Sequence, residues 1–230
     1  MDQLFVPDRV RHWVQRVLTR GTYAEPPTDN SKPIIELEGV SKRFGPVTAL
    51  EEVSCQLERG MIHGVVGPNG SGKTTLFEIV LRLRWPSSGT VVAPPPSETG
   101  YSFQQPQFYP TLTVEENLTV FSRLHANVDP AWRSTLGERL RLDRVSHRQA
   151  RRLSGGFQQK LDVTLALLSR PPVVVLDEPL SDVDELSRER LLELITGYAE
   201  EGGTVLVSSH NHERISPIVD SFLELRDGRI

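Results

Sequence analysis

The sequence predicts an α/β fold with a parallel β-sheet core, an antiparallel β subdomain before it and a helical insert within it. Two patterns support this prediction. After residue 172, short apolar strand-like runs alternate with helical segments, which is typical of parallel sheets because crossover helices join their strands. Between residues 34 and 66, strand-like segments are separated by Gly-Pro and Arg-Gly turns, which favours a small antiparallel sheet.

Composition narrows the classes of function. The chain has 230 residues, of which 37% are apolar and 24% are charged, and its net charge is −4. This balance is typical of a globular protein with a sizeable core, and it provides no general basic surface, so we expect no nucleic-acid partner. The single cysteine, Cys55, excludes an internal disulfide. Because the sequence contains neither a basic and apolar leader nor an apolar run long enough to span a membrane, we expect a cytoplasmic protein.

Three regions are predicted along the chain. Residues 1–23 should contain an amphipathic basic helix, which packs on its own domain or on a partner protein, lies on an anionic membrane surface, or stays disordered. Residues 24–33 have the Pro-rich composition of a linker. The folded domain is expected at 34–230, with the helical insert at about 105–152. Thr113 and Glu116 have the spacing of a capping box and should begin a helix of that insert.

The segment 67–75 is predicted to bind the phosphates of a nucleoside triphosphate. It lies between a predicted strand and a predicted helix, where glycines shape a cradle of backbone N–H groups and the helix N-terminus adds positive potential. Lys73 should reach the outer phosphates, and Thr74 should bind Mg²⁺. A simple glycine-rich turn is the alternative, and it does not explain so many specified positions. The residues of this loop are Gly67, Pro68, Asn69, Gly70, Ser71, Gly72, Lys73, Thr74 and Thr75.

Two adjacent carboxylates follow the apolar run 173–176. Asp177 should hold the hydration shell of Mg²⁺, while Glu178 is free to polarise a water molecule that attacks the phosphate. A solvated acidic turn after a strand is the alternative interpretation.

Further motifs follow the phosphate loop in a fixed order and identify a family. Together they resemble the nucleotide-binding subunit of ABC transporters, similar to single-cassette exporters, over about residues 34–230. The motifs are Gln104, then Leu153 with Ser154, Gly155 and Gly156, then Asp177 with Glu178, then Ser181 to Asp184, and finally His210. The chain departs from the family pattern at Phe157, where glutamine is common, and at Asp182, where a small residue is common.

The resemblance implies the roles of several residues. Gln104 would complete the Mg²⁺ shell with Thr74 and Asp177, and it would sense the γ-phosphate of ATP. Glu178 would act as general base, and His210 would contact the γ-phosphate. Phe44 would stack on adenine. The signature residues Ser154, Gly155 and Gly156 would close the ATP site of a second ABC ATPase chain, in a head-to-tail homodimer or heterodimer.

The function implied is that of an ATP-binding and ATP-hydrolysing subunit that powers transport through a separate transmembrane permease. It would work peripherally, on the cytoplasmic face of the membrane. The alternative is a soluble ABC ATPase that acts on nucleic acid or the ribosome. Such proteins carry a long coiled coil or a second cassette, and the segment between Lys73 and Ser154 holds only the short insert. A regulatory subunit without turnover would lack a catalytic residue, and none is missing.

Overall fold

A computed structural model describes residues 23–125, 128–181 and 183–230. The amphipathic helix predicted within residues 1–23 therefore lies outside the described part of the chain, which begins at Tyr23, and so does Asp182. The described strands are β1 (Tyr23–Ala24), β2 (Ile35–Phe44), β3 (Val47–Leu57), β4 (Ile62–Val66), β5 (Ser88–Val92), β6 (Thr99–Ser102), β7 (Val173–Leu176), β8 (Thr204–Ser209) and β9 (Ser221–Glu224). The α-helices are α1 (Lys73–Val80), α2 (Val114–Leu124), α3 (Pro130–Arg139), α4 (Gly155–Leu167) and α5 (Glu185–Glu200).

Five strands form a parallel sheet in the order β6-β7-β8-β4-β9. Every residue of β4, β7 and β8 is buried, as expected for parallel strands that are covered on both faces. The sequence analysis grouped β4 with the antiparallel strands before it, but β4 pairs with β8 and β9 instead. Its partners lie more than a hundred residues further along the chain, so no local turn could have indicated them.

The antiparallel subdomain is a second sheet in the order β1-β5-β2-β3. β2 and β3 form a hairpin whose turn is the predicted Gly-Pro pair at 45–46. β5 pairs antiparallel with the other edge of β2. The strands β2, β3 and β5 bury apolar side chains against helix α1 and against the parallel sheet, and this shared core joins the two sheets.

The structure corrects the predicted start of the folded domain near residue 34. Tyr23 and Ala24 pair in parallel with Val91 and Val92. The Tyr23 hydroxyl lies 2.9 Å from the carbonyl oxygen of Ile79 and 2.8 Å from that of Arg84. A strand of two residues has no periodic pattern, so the composition of the following Pro-rich segment dominated the prediction.

The helical insert packs on helix α4. Thr113 caps α2 in the predicted capping box with Glu116, and the side chain of Asp129 accepts a hydrogen bond from the Ala131 N–H at the start of α3. The indole N–H of Trp132 donates to the Leu167 carbonyl oxygen at 2.8 Å, which ties α3 to the end of α4. None of the described helices combines the length and apolarity that a bilayer crossing requires.

Parallel pairing brings four loops to one edge of the sheet. The phosphate loop follows β4, the loop of Gln104 follows β6, the acidic pair follows β7, and His210 follows β8. Because the carboxyl ends of parallel strands lie at the same edge, residues far apart in sequence meet there.

Candidate nucleotide-binding site

The phosphate loop has the backbone conformation that its glycines permit. Gly70 and Gly72 have φ angles of 83° and 109°, which disfavour residues with a side chain. A Cβ atom at Gly72 would also lie 2.5 Å from the carbonyl oxygen of Ala49, so this position excludes any larger residue. Helix α1 begins at Lys73, within the phosphate-loop segment, and its first turn contains no acidic residue. The positive end of the helix dipole faces the loop.

Lys73 directs its ammonium group across the loop. Its Nζ donates to the carbonyl oxygens of Gly67 at 2.8 Å and Pro68 at 3.3 Å. The same Nζ lies 3.7 Å from Glu178 Oε1. Both side chains are almost fully buried, so their attraction is weakly screened by solvent. The loop thus carries a positive charge where an outer phosphate of a nucleotide would lie.

Asp177 is the centre of an oxygen-rich cluster beside the loop. It is only 1% exposed. Its Oδ2 accepts from the Thr74 hydroxyl at 2.7 Å, and its Oδ1 accepts from the Ser208 hydroxyl at 2.5 Å. Ser208 also accepts a hydrogen bond from the backbone N–H of Glu178 at 2.8 Å. One hydroxyl therefore fixes both neighbouring acidic residues.

Sequence reasoning missed the contribution of Ser208. Leu176 of β7 lies opposite Val207 of β8, so the residues that follow them, Asp177 and Ser208, are adjacent across the two strands. Knowledge of the strand order would have indicated this contact. The strand order is a property of the whole sheet, and the local sequence does not reveal it.

Thr74 and Asp177 fit a bound Mg²⁺. They offer a hydroxyl and a carboxylate oxygen 2.7 Å apart, and Mg²⁺ prefers such hard oxygen ligands. In phosphate sites this ion uses one or two carboxylates and completes its shell with water and phosphate oxygens. No cluster of three His, Cys, Asp or Glu side chains arranged to hold a metal is found among residues 23–125, 128–181 and 183–230.

Glu178 combines burial, backbone strain and an unsatisfied oxygen. It is 7% exposed and its φ angle is 54°, which costs on the order of 1 kcal/mol for a residue with a side chain. Its Oε2 lies 2.9 Å from His210 Nδ1. Its Oε1 is buried and has no hydrogen-bond partner within the described chain. A buried carboxylate oxygen in this position is suited to accept a proton from a water molecule.

The structure brings the two predicted catalytic residues, Glu178 and His210, together with several of the predicted binding residues. Lys73 and His210 contact Glu178, while Thr74 contacts Asp177. Gln104 is exposed on the loop after β6. It lies at the same edge of the sheet, but in the described chain no hydrogen bond joins its side chain to Thr74 or Asp177.

Phe44 is placed at the end of β2 with 40% of its surface exposed. The Arg84 guanidinium lies 4.9 Å and the Lys42 ammonium 5.3 Å from the centre of its ring. Burial, together with the neighbouring charge of Arg84, lowers the pKa of Lys42. The sequence analysis did not anticipate these two cations. An exposed ring with cationic neighbours is suited to stack on a nucleotide base.

The signature segment stands apart from the phosphate loop of its own chain. Ser154 and Gly155 are exposed at the beginning of α4, and Gly156 is buried. Within the described residues, no hydrogen bond or ion pair joins the segment 154–156 to 67–75. Phe157 is half-buried, and the Lys160 ammonium lies 4.0 Å from its ring centre.

Comparison with known proteins places the chain in a family. The sequence profile described as ABC transporter matches residues 50–181. The chain belongs to the ABC transporter family. As a member, it is an ATP-binding transport ATPase, and the predicted fold, the ATPase activity and the transport function are confirmed. The alternative of an ABC ATPase that acts on nucleic acid or the ribosome is not supported.

Individual relatives agree with this assignment to the ABC family. The Nod factor export ATP-binding protein I of Ralstonia nicotianae is 31% identical over 222 residues, which cover 90% of this chain and 69% of that protein. A solved ATP-binding subunit of an ABC transporter has a TM-score of 0.79 at 26% identity, covering 86% of this chain and 88% of that one. A dimeric bacterial ABC transporter cassette has a TM-score of 0.78 at 25% identity, covering 85% and 96%.

Proposed function

We propose that this chain hydrolyses Mg²⁺-ATP with Glu178 as the general base. The observation that carries the proposal is the buried Glu178 carboxylate, whose Oε1 has no hydrogen-bond partner within the described chain while His210 holds its Oε2. This arrangement leaves one oxygen to accept a proton from the attacking water and orients the other. His210 is half-exposed, so its ring can also reach the γ-phosphate.

The remaining residues bind and orient the nucleotide. The N–H groups of 67–75 and the Lys73 ammonium bind the phosphates, and Phe44 stacks on adenine. Thr74 and Asp177 would hold Mg²⁺, and Gln104 would supply a further oxygen donor. When bound, the ion neutralises charge on the β- and γ-phosphates.

We further propose that two chains form each hydrolytic site. Two observations support this. The segment 154–156 has its first two residues exposed at the start of α4, no hydrogen bond or ion pair joins it to segment 67–75 within the described residues, and a similar cassette is known as a dimer. A second chain in head-to-tail orientation would place its Ser154 hydroxyl and the N–H groups of its α4 N-terminus against the γ-phosphate.

The partner that uses the ATP energy is proposed to be a separate transmembrane permease, reached from the cytoplasmic face of the membrane. Because the relative from Ralstonia nicotianae is named for export, export is the direction of transport that we propose.

The replacement Glu178→Gln tests the proposed base. It keeps the shape of the side chain but removes the proton acceptor, so turnover should fall by about 10²- to 10⁴-fold, while ATP binding persists. ATP that is not hydrolysed should then hold two chains together as a dimer. Size-exclusion chromatography in the presence of Mg²⁺-ATP measures the fraction of dimer. The matched control is Glu201→Gln, which makes the same change at an exposed position that pairs with Arg170.

Two results would contradict the proposal. One is normal turnover in Glu178→Gln, which would remove Glu178 from the chemistry. The other is a Glu178→Gln variant that binds ATP and stays monomeric, which would refute the composite site.

A further inference from the structure

A buried carboxylate lies in the middle of helix α4, outside the nucleotide site. Asp162 is 3% exposed. Its Oδ2 accepts from the Ser102 hydroxyl at 2.6 Å, and its Oδ1 accepts from the backbone N–H of Gln107 at 2.6 Å. Both donors belong to segments outside α4. Each oxygen therefore forms a short hydrogen bond, of the kind that an ionised acceptor strengthens.

The two donors stand on either side of Gln104. Ser102 is the last residue of β6, and its carbonyl oxygen accepts from the backbone N–H of Asp177 at 2.8 Å. Gln107 follows Gln104 on the loop that leaves β6. Asp162 thus binds the chain to α4 on both sides of Gln104. One of its two donors, Ser102, also accepts a hydrogen bond from the backbone of Asp177, the proposed Mg²⁺ ligand.

Helix α4 connects this point to the signature segment. Gly155 is the first residue of α4, and Asp162 lies about two turns further along. A second side chain of the same helix supports the contact, since the Gln159 amide nitrogen lies 3.3 Å from the Ser102 hydroxyl. Three hydrogen bonds therefore join the segment around Gln104 to the helix that begins at the signature.

Burying the carboxyl group of Asp162 costs folding free energy, so stability does not explain its position. Burial raises the pKa of its carboxyl to about 7, although the hydrogen bonds from Ser102 and Gln107 lower it. Thr164 provides a comparison on the same helix, because it is buried and, among the described residues, its hydroxyl donates only to the Lys160 carbonyl oxygen within α4. A buried polar residue in α4 thus need not reach other segments, and an apolar residue at 162 would avoid the cost of burying a charge.

We propose that Asp162 is a positioning residue for ATP hydrolysis, which couples the Gln104 loop to the signature helix through its hydrogen bonds to Ser102 and Gln107. The inference deepens the proposed function and depends on it. Asp162 does not touch the nucleotide. It determines whether Gln104 and the segment 154–156 change position together when ATP binds.

The test compares Asp162→Leu, Asp162→Asn and the control Thr164→Val in the full chain. Leucine is branched at Cγ as aspartate is and accepts no hydrogen bond, so kcat should fall by about 10- to 100-fold. The dissociation constant for ATP, measured with a fluorescent ATP analogue, should stay within about twofold. Asparagine keeps one acceptor and should restore part of kcat. Hydrogen exchange at the Gln107 amide should accelerate in Asp162→Leu and stay unchanged in Thr164→Val.

The possible failures are distinguishable. If the wild-type chain does not hydrolyse ATP, the proposed function fails and the positioning role fails with it. If the wild type hydrolyses ATP and folded Asp162→Leu retains its kcat, only the positioning role is overturned. If Asp162→Leu does not fold, Ser102→Ala takes its place, because it removes one of the two donors, and an unchanged kcat in that variant overturns the role.

Discussion

Asp162→Asn should alter how the stability of the protein depends on pH. The unfolded chain has a carboxyl pKa near 3.8 at this position, whereas burial raises the pKa in the folded state to about 7. Between these values the folded state binds more protons than the unfolded state, so the free energy of unfolding falls as pH rises through this window. Above about pH 8 Asp162 is ionised in both states, and the free energy of unfolding falls no further through this group. Asparagine does not titrate and has no such loss.

The expected change in the free energy of unfolding follows from the width of the measurable pH range. From about pH 5.5 to the folded pKa of about 7 is about 1.5 pH units, and about 1.4 kcal/mol per unit gives about 2 kcal/mol. The variant should gain this amount relative to the wild type between about pH 5.5 and about pH 8. Because Asp162 is almost fully buried, solvent screening does not reduce the figure substantially.

Urea unfolding of both proteins at several pH values measures this difference. Other titrating groups contribute to each curve. Burial lowers the pKa of His63, for example, so its contribution to stability increases as pH rises towards the ordinary histidine value. Such contributions are common to both proteins and cancel in the difference. A difference that does not change with pH, or that shifts in favour of the wild type at high pH, refutes the reasoning.

Two further predictions follow from the contacts at the edges of the domain. Removal of residues 1–30 should leave ATP affinity unchanged, but it should lower the free energy of unfolding by about 2 kcal/mol, because the half-buried Tyr23 ring and its hydroxyl contacts are lost. Removal of 1–22 alone keeps Tyr23 and is the matched control; equal unfolding curves for the two truncations would show that the Tyr23 contacts contribute nothing. Phe44→Ala should weaken ATP binding by about tenfold, since stacking on an aromatic ring contributes about 1–3 kcal/mol per base, whereas Phe44→Tyr keeps the ring and should bind normally. Nucleotide titration measures both changes, and an unaltered affinity in Phe44→Ala would remove Phe44 from the base site.

Several features of this protein are determined by local sequence. The phosphate loop is one, because its glycines, its lysine and its helix start are consecutive residues whose conformation depends mainly on one another. The capping box of Thr113 and Glu116 is another, since its two residues are three positions apart and contact each other directly. The order of the motifs along the chain is sufficient to indicate the family.

Other features depend on which segments become neighbours in space. Ser208 reaches Asp177 only because β8 pairs with β7, and β4 lies in the parallel sheet because strands near the end of the chain pair with it. Tyr23 belongs to the domain through contacts with residues more than fifty positions away. Asp162 reads in the sequence as an ordinary polar residue of a helix, and its burial arises from β6 and the Gln104 loop packing against α4. Strand order and long-range packing have no local sequence signature, because they reflect the free energy of the whole assembled core.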